Sequence, residues 1–281
     1  MKKLLFAAVF SAAFALGGTV AARANNTVTV TPGNSDGWQF NNADVNGSVG
    51  NNPTGVGGFV LGPGTPPLGS GSAQLATGNG SSGGDGAEII SNGNYSGISL
   101  SSLTALTYST YVTQNNGSQF PYIQLEIATG LSNTPYDQLF FEPPYQNGTY
   151  NNLLPNQGNT QLDTWQSWNA LTGGWWDNLG NCNPGTGVKT LAACTSGFVN
   201  PTIVNTFGSV GVLTGVGGLQ IDTGFASPTD QFNGYVDALT VGISGTNTTY
   251  NFEPAAPEPA SLAVLGVGLV ALGIARKRRP A

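Results

Sequence analysis

Few residues in this chain of 281 can do chemistry, and one type is missing outright: there is no histidine. Ser-His-Asp and Cys-His nucleophilic catalysis are therefore excluded, as is every zinc or iron site built on imidazole. What remains is a small set of carboxylates, one pair of cysteines and a cluster of tryptophans. Glu126 and Glu142, near the ends of two apolar segments, are the pair that could divide acid and base work on a glycosidic bond. No recognisable carboxylate motif surrounds either, and acidic positions on strands are most often solvated, so the expectation is a protein that is not an enzyme.

Four of the five tryptophans, Trp165, Trp168, Trp175 and Trp176, fall in one short stretch. Exposed indole faces stack on sugar rings, which makes the four candidates for a glycan-binding platform; turned inward, they fill a core. Trp175 and Trp176 are adjacent, so on a strand they point to opposite faces and at least one belongs inside. Alternation through residues 235–243 places Asp237 on one face with Tyr235, Leu239, Val241 and Ile243. A carboxylate on that apolar side needs compensation. Backbone N–H groups or hydroxyls would supply it, and so would a calcium ion drawing further oxygens from the stretch around Asp36, Asn41 and Asp44. No EF-hand or Gly-Asp nonapeptide pattern supports the metal. Cys182 and Cys194, the only cysteines, share a loop-like stretch and are expected to form a disulfide that closes it. Only Lys189 offers a cation between them, so a reactive thiol is not expected.

The elements that must position these side chains read as strands. Charged residues make up 8% of the chain, too few to coat the outer faces of long solvated helices, while 39% hydrophobic residues suffice for a sizeable core. Period-2 alternation between turn residues recurs at 27–31, 58–61, 73–77, 106–112, 122–128, 138–142, 202–206, 210–213, 219–223, 235–243 and 248–252. Within 122–128, Ile123, Leu125 and Ile127 share one face while Gln124 and Glu126 point the other way, the pattern of a half-buried strand. The Gly, Asn, Ser and Pro tracts at 41–58, 78–86 and 146–160 read as loops, because apolar strands resume after each. The fold class expected is all-β: one two-sheet, jelly-roll-like sandwich over residues 25–256.

Both ends read as addresses. Residues 1–24 have the form of a signal peptide, with Lys2 and Lys3, an apolar run over 4–16, and Ala22-Arg23-Ala24 as the cleavage site. That run reaches only ~20 Å as a helix against a ~30 Å hydrocarbon core, which favours cleavage over a lasting anchor. Residues 257–281 hold Pro257-Glu258-Pro259, an uncharged run over 260–275, and then Arg276, Lys277, Arg278 and Arg279, cations that keep this end of a transmembrane helix cytoplasmic. The tail PEPASLAVLGVGLVALGIARKRR closely resembles the PEP-CTERM sorting signal. That resemblance implies a Gram-negative bacterium, a transient inner-membrane intermediate, cleavage near Pro257 by an exosortase, and delivery to the outer surface or an exopolysaccharide matrix; a permanent single-pass anchor is the alternative. Residues 62–73, 106–111 and 234–241 are also similar to a secreted bacterial sandwich domain that occurs with different surface anchors, which implies architecture and location but no activity. Between residues 25 and 256 Lys189 is the one cation against thirteen carboxylates, which excludes nucleic acid as a partner. The expected partner is a glycan such as the exopolysaccharide, and the alternative is a purely structural matrix component.

Overall fold

The computed structural model describes residues 25–44, 55–78, 86–115, 119–130, 136–183, 185, 187–204, 218–224 and 231–256. Among them run fourteen strands: β1 (Asn25–Val30), β2 (Trp38–Asp44), β3 (Val56–Leu61), β4 (Gly71–Thr77), β5 (Gly86–Asn92), β6 (Leu103–Gln114), β7 (Tyr122–Ala128), β8 (Asp137–Phe141), β9 (Gln166–Asn169), β10 (Trp176–Asp177), β11 (Thr202–Ile203), β12 (Leu219–Asp222), β13 (Phe232–Ile243) and β14 (Thr246–Phe252). The one α-helix among the described residues, α1 (Leu191–Cys194), is capped by Thr190, whose Oγ1 accepts the Ala193 N–H at 3.1 Å.

The strands form two seven-stranded sheets, so the chain is an all-β two-sheet sandwich. In the first sheet the long β13 is the organiser. One edge pairs with β4 over residues 232–236 and with β14 over 239–243, while β6 follows the other edge and β9 lies outside β6. Ser244 and Gly245 close the β13–β14 hairpin in two residues, both at positive φ, the geometry that matches the twist of the flanking strands. The second sheet runs β10-β8-β7-β12-β5-β2, with β11 on the end of β7. Inward positions of both sheets meet in one core that holds Leu75, Leu106, Ile123, Leu125, Ile221, Val236, Leu239 and the edge-to-face ring pairs of Trp38 with Tyr250 and Phe252.

Several expectations need correction. β2, β5, β9 and β10 were not among the expected strands, and residues 41–44 and 56–58 of the expected 41–58 loop belong to β2 and β3. Sequences such as Trp-Gln-Phe-Asn-Asn-Ala-Asp pair with a neighbour whatever their polarity, and alternation is blind to that. Only Thr202–Ile203 of 202–206 is strand among the described residues; 205–206, 210–213, the signal peptide at 1–24 and the tail at 257–281 lie outside them. No helix of the described residues is long and apolar enough to cross a membrane. β7 is buried on both faces rather than one: Gln124 and Glu126 are 2% and 0% exposed. Alternation tells which side chains share a side, and tertiary packing decides whether that side meets water.

Candidate functional site

The four tryptophans divide in two. Trp168 on β9 and Trp175 just before β10 belong to the core, each 1% exposed or less. The Trp168 indole donates to Thr110 Oγ1 at 2.8 Å, and that of Trp175 donates to the Ala170 carbonyl at 2.7 Å while its ring packs on Phe141. Neither can offer a face to a ligand, which removes both from the expected platform. Trp176 points to the outer side of the second sheet, stacks on Phe140 at 4.1 Å and donates to Glu142 Oε1 at 2.9 Å. Trp165 sits on the outer side of the first sheet, where its indole donates to the Pro63 carbonyl at 2.9 Å.

Trp165 extends a row that crosses the first sheet at right angles to its strands. Its ring lies 5.5 Å from Tyr111 on β6, and Tyr111 pairs with Tyr235 on β13, the two rings 6.4 Å apart. Beyond Tyr235 the register continues to Gln74 on β4 and Gly58 on β3. A side chain at Gly58 would meet nothing within 4 Å, so this end of the row is open. All three rings are half-buried. Gln74 Nε2 donates to Asn233 Oδ1 at 2.9 Å and Asn233 Nδ2 to the Tyr235 hydroxyl at 3.2 Å, which fixes both amides beside the rings. Tyr111 and Tyr235 were not singled out in the sequence as partners of Trp165. Alternation places each on a face, but only the β6–β13 pairing makes the faces one surface.

Asp237 is fully buried, though not for the reason alternation supplied. Asp237 pairs with Ser109 and Thr240 with Thr107, so Ala238 and Leu239 together oppose a single residue of β6. This is a β-bulge, with Ala238 at φ 54°. The extra residue switches the alternation: Val236 and Leu239 both face the core, and Asp237 lies on the opposite face from Leu239 and Val241. It is covered there by the 62–70 loop. One carboxylate oxygen accepts the Leu68 N–H at 2.8 Å and the other the Phe252 N–H at 3.4 Å. Burial pushes its pKa up to about 6, and the backbone donors hold it below what burial alone would impose. Because N–H donors occupy the carboxylate, the site does not suit calcium, which takes oxygen ligands. Asp36 lies elsewhere, exposed beside Asn92, which donates to its carbonyl; Asn41 donates to Ser91, and Asp44 ends β2 opposite Gly86. Among the described residues no three His, Cys, Asp or Glu side chains gather where a metal could sit.

Glu126 and Glu142 are not brought together. Glu126 pairs with Gln138, and Glu142 stands four residues further along, about 13 Å at strand rise. Glu142 instead follows Phe141 at the end of β8, near Tyr122 and Asp222, which pair across β7 and β12. Burial lifts the Glu142 pKa to about 7 against the Trp176 N–H that lowers it, with Asp222 raising it further. Burial likewise raises Asp222 to about 7, opposed first by the Gly224 N–H at 2.8 Å.

Cys182 and Cys194 are joined in a disulfide, both sulfurs packed against the core cluster. The bridge closes a loop that holds Lys189, whose backbone exchanges hydrogen bonds with Trp175 at 2.7 and 3.0 Å.

A protein-family model described as the PEP-CTERM protein-sorting motif matches residues 255–279. The match takes in Pro257, Glu258 and Pro259 as well as Arg276, Lys277, Arg278 and Arg279, all of them outside the described residues. No curated protein and no solved structure matches the chain. The chain therefore carries the sorting motif of PEP-CTERM proteins, exported products that exosortase processes and that are sorted to the cell surface.

Proposed function

We propose that the body is a non-catalytic glycan-binding sandwich whose binding face is the row of Trp165, Tyr111 and Tyr235 with the amides of Gln74 and Asn233. The observation that carries this reading is the row itself. Three half-exposed rings stand at spacings of 5.5 and 6.4 Å, flanked by amides that hydrogen bonds already orient. Ring faces take the apolar side of a sugar, and the amides meet its hydroxyls. The indole of Trp165 and the amide of Gln74 are both held by hydrogen bonds before any ligand arrives, so little side-chain freedom remains to be lost on binding. Sorting to the cell surface brings the face among the glycans of the envelope and matrix.

Affinity electrophoresis against the host's own exopolysaccharide tests it. Trp165→Ala and Tyr111→Ala are each expected to weaken retardation by about fivefold to tenfold, the loss of roughly 1 kcal/mol of ring contact. Trp176→Ala, on the other sheet, serves as the control. Unchanged retardation in Trp165→Ala and Tyr111→Ala would remove the row as a binding face, and a wild-type protein that binds no glycan would leave a structural matrix component.

A further inference from the structure

Lys189 is the one cation between residues 25 and 256, in a body with thirteen carboxylates, yet it forms no ion pair among the described residues. Its ammonium is exposed and donates to the Asn181 carbonyl at 2.7 Å, which leaves two of its three N–H groups open. The nearby carboxylate of Asp177 is turned inward, where it accepts from Asn181 Nδ2 at 2.8 Å and from the Cys182 N–H at 2.9 Å.

Lys189 lines a cleft of about 590 Å³ with Thr149, Tyr150, Asn151, Asn152 and Gly187. The walls are fixed before any ligand arrives. Asn151 donates to the Val188 carbonyl at 2.8 Å and accepts the Leu153 N–H at 3.0 Å, while Thr149 donates its N–H to Asn147 Oδ1 at 3.0 Å. Gly187 is at φ 98°, and a Cβ there would fall 2.6 Å from the Tyr150 carbonyl, so the two walls touch through backbone. Tyr150 is 38% exposed, its ring edge-on to Tyr145 at 4.7 Å. On the lysine's side the disulfide and the Trp175 bridge hold the loop to the core. An aromatic ring, neutral amide and hydroxyl groups and one unpaired ammonium in a concave polar site are the recognition chemistry of a sugar that carries a carboxylate.

We propose that this cleft binds a carboxylated sugar unit of an acidic polysaccharide, with Lys189 taking the carboxylate. The inference rests on the glycan-binding reading and names its ligand class. Elsewhere the body repels a polyanion, but only within a screening length of about 8 Å at physiological salt. Lys189 is thus the point at which such a polymer can land.

The test compares polygalacturonate with the same polymer after reduction of its carboxyl groups, each titrated against the full folded body. The wild type is expected to bind the acidic form about tenfold more tightly, the range of a charge-assisted contact. Lys189→Gln is expected to bind both forms alike at the weaker level, and Lys189→Arg to keep the preference; unfolding midpoints close to wild type exclude misfolding. Equal binding of the two polymers by the wild type, or a preference that survives Lys189→Gln, overturns the cleft while leaving the aromatic row intact. Binding of neither polymer overturns this inference, and loss of host exopolysaccharide binding besides would overturn the row as well.

Discussion

Asp237 shows how a single side chain is kept in this sandwich without a counter-charge. Its carboxylate holds the 62–70 loop and the end of β14 through the Leu68 and Phe252 N–H groups. Asp237→Ala strands both donors, and each unsatisfied buried group costs about 1–3 kcal/mol. We expect a loss of roughly 2–4 kcal/mol in urea unfolding, more than for any exposed aspartate such as Asp163. Since backbone N–H groups occupy both its oxygens, neither calcium nor a chelator is expected to move the thermal midpoint; a midpoint that climbs with added calcium would reinstate a metal.

Among the elements, the bulge in β13 decides which surface the protein presents. Ala238 opposes no residue of its own on β6, and through it Tyr235 and Asp237 face outward while Val236, Leu239 and Val241 face inward. A non-glycine residue in the left-handed region costs about 1 kcal/mol or more, part of which glycine gives back as unfolded-state entropy. Ala238→Gly is accordingly expected to raise stability by a few tenths to about 1 kcal/mol, and Ala238→Val to lower it by more. The disulfide loop is the other local device. Replacing Cys182 and Cys194 by Ala together is expected to cost up to about 3 kcal/mol by loop closure, since the bridge spans only a short segment. Circular dichroism should still report the two sheets, and proteolysis should find its first cut near Lys189; collapse of the whole strand signal would contradict a local role.

At the scale of the molecule, buried acids set an unusual pH response. Burial raises Glu88 to about 8, Glu142 and Asp222 to about 7 and Asp237 to about 6, from the ordinary 4.5 of Glu and 3.8 of Asp. Between the unfolded and folded values the native state holds more protons than the unfolded chain, so stability falls as pH rises. The contribution is full below about pH 4, is lost progressively as pH rises from there, and is gone once pH passes the folded values of about 6 to 8. Calorimetry should therefore place the unfolding midpoint higher at about pH 5 than at about pH 8.5, and a midpoint that rises over that interval would show these acids to be charged in the fold. Sorting acts on the same molecule from its other end. Mass spectrometry of surface-released protein is expected to find no residue beyond Ala260, and Glu258→Ala to leave export intact while blocking release.

Destination and fold class were legible in the residues themselves because each depends on local order. Pro257-Glu258-Pro259, the apolar run and Arg276 to Arg279 are contiguous, and period-2 alternation reports a strand without reference to its partner. The pairing of Cys182 with Cys194 was legible by count, there being no other choice. Which tryptophans face a ligand was not, because Trp165 and Trp168 are three residues apart yet differ in burial only through the layers on either side of their sheet. Nor was the face of Asp237, since one inserted residue at Ala238 reverses the parity on which the sequence argument stood. The row of Trp165, Tyr111, Tyr235 and Gln74 draws its members from four distant parts of the chain, and the Lys189 cleft joins residues 148–152 to 187–189. Both surfaces exist only once long-range strand pairing and a disulfide-held loop set backbone beside backbone, a choice that no local pattern encodes.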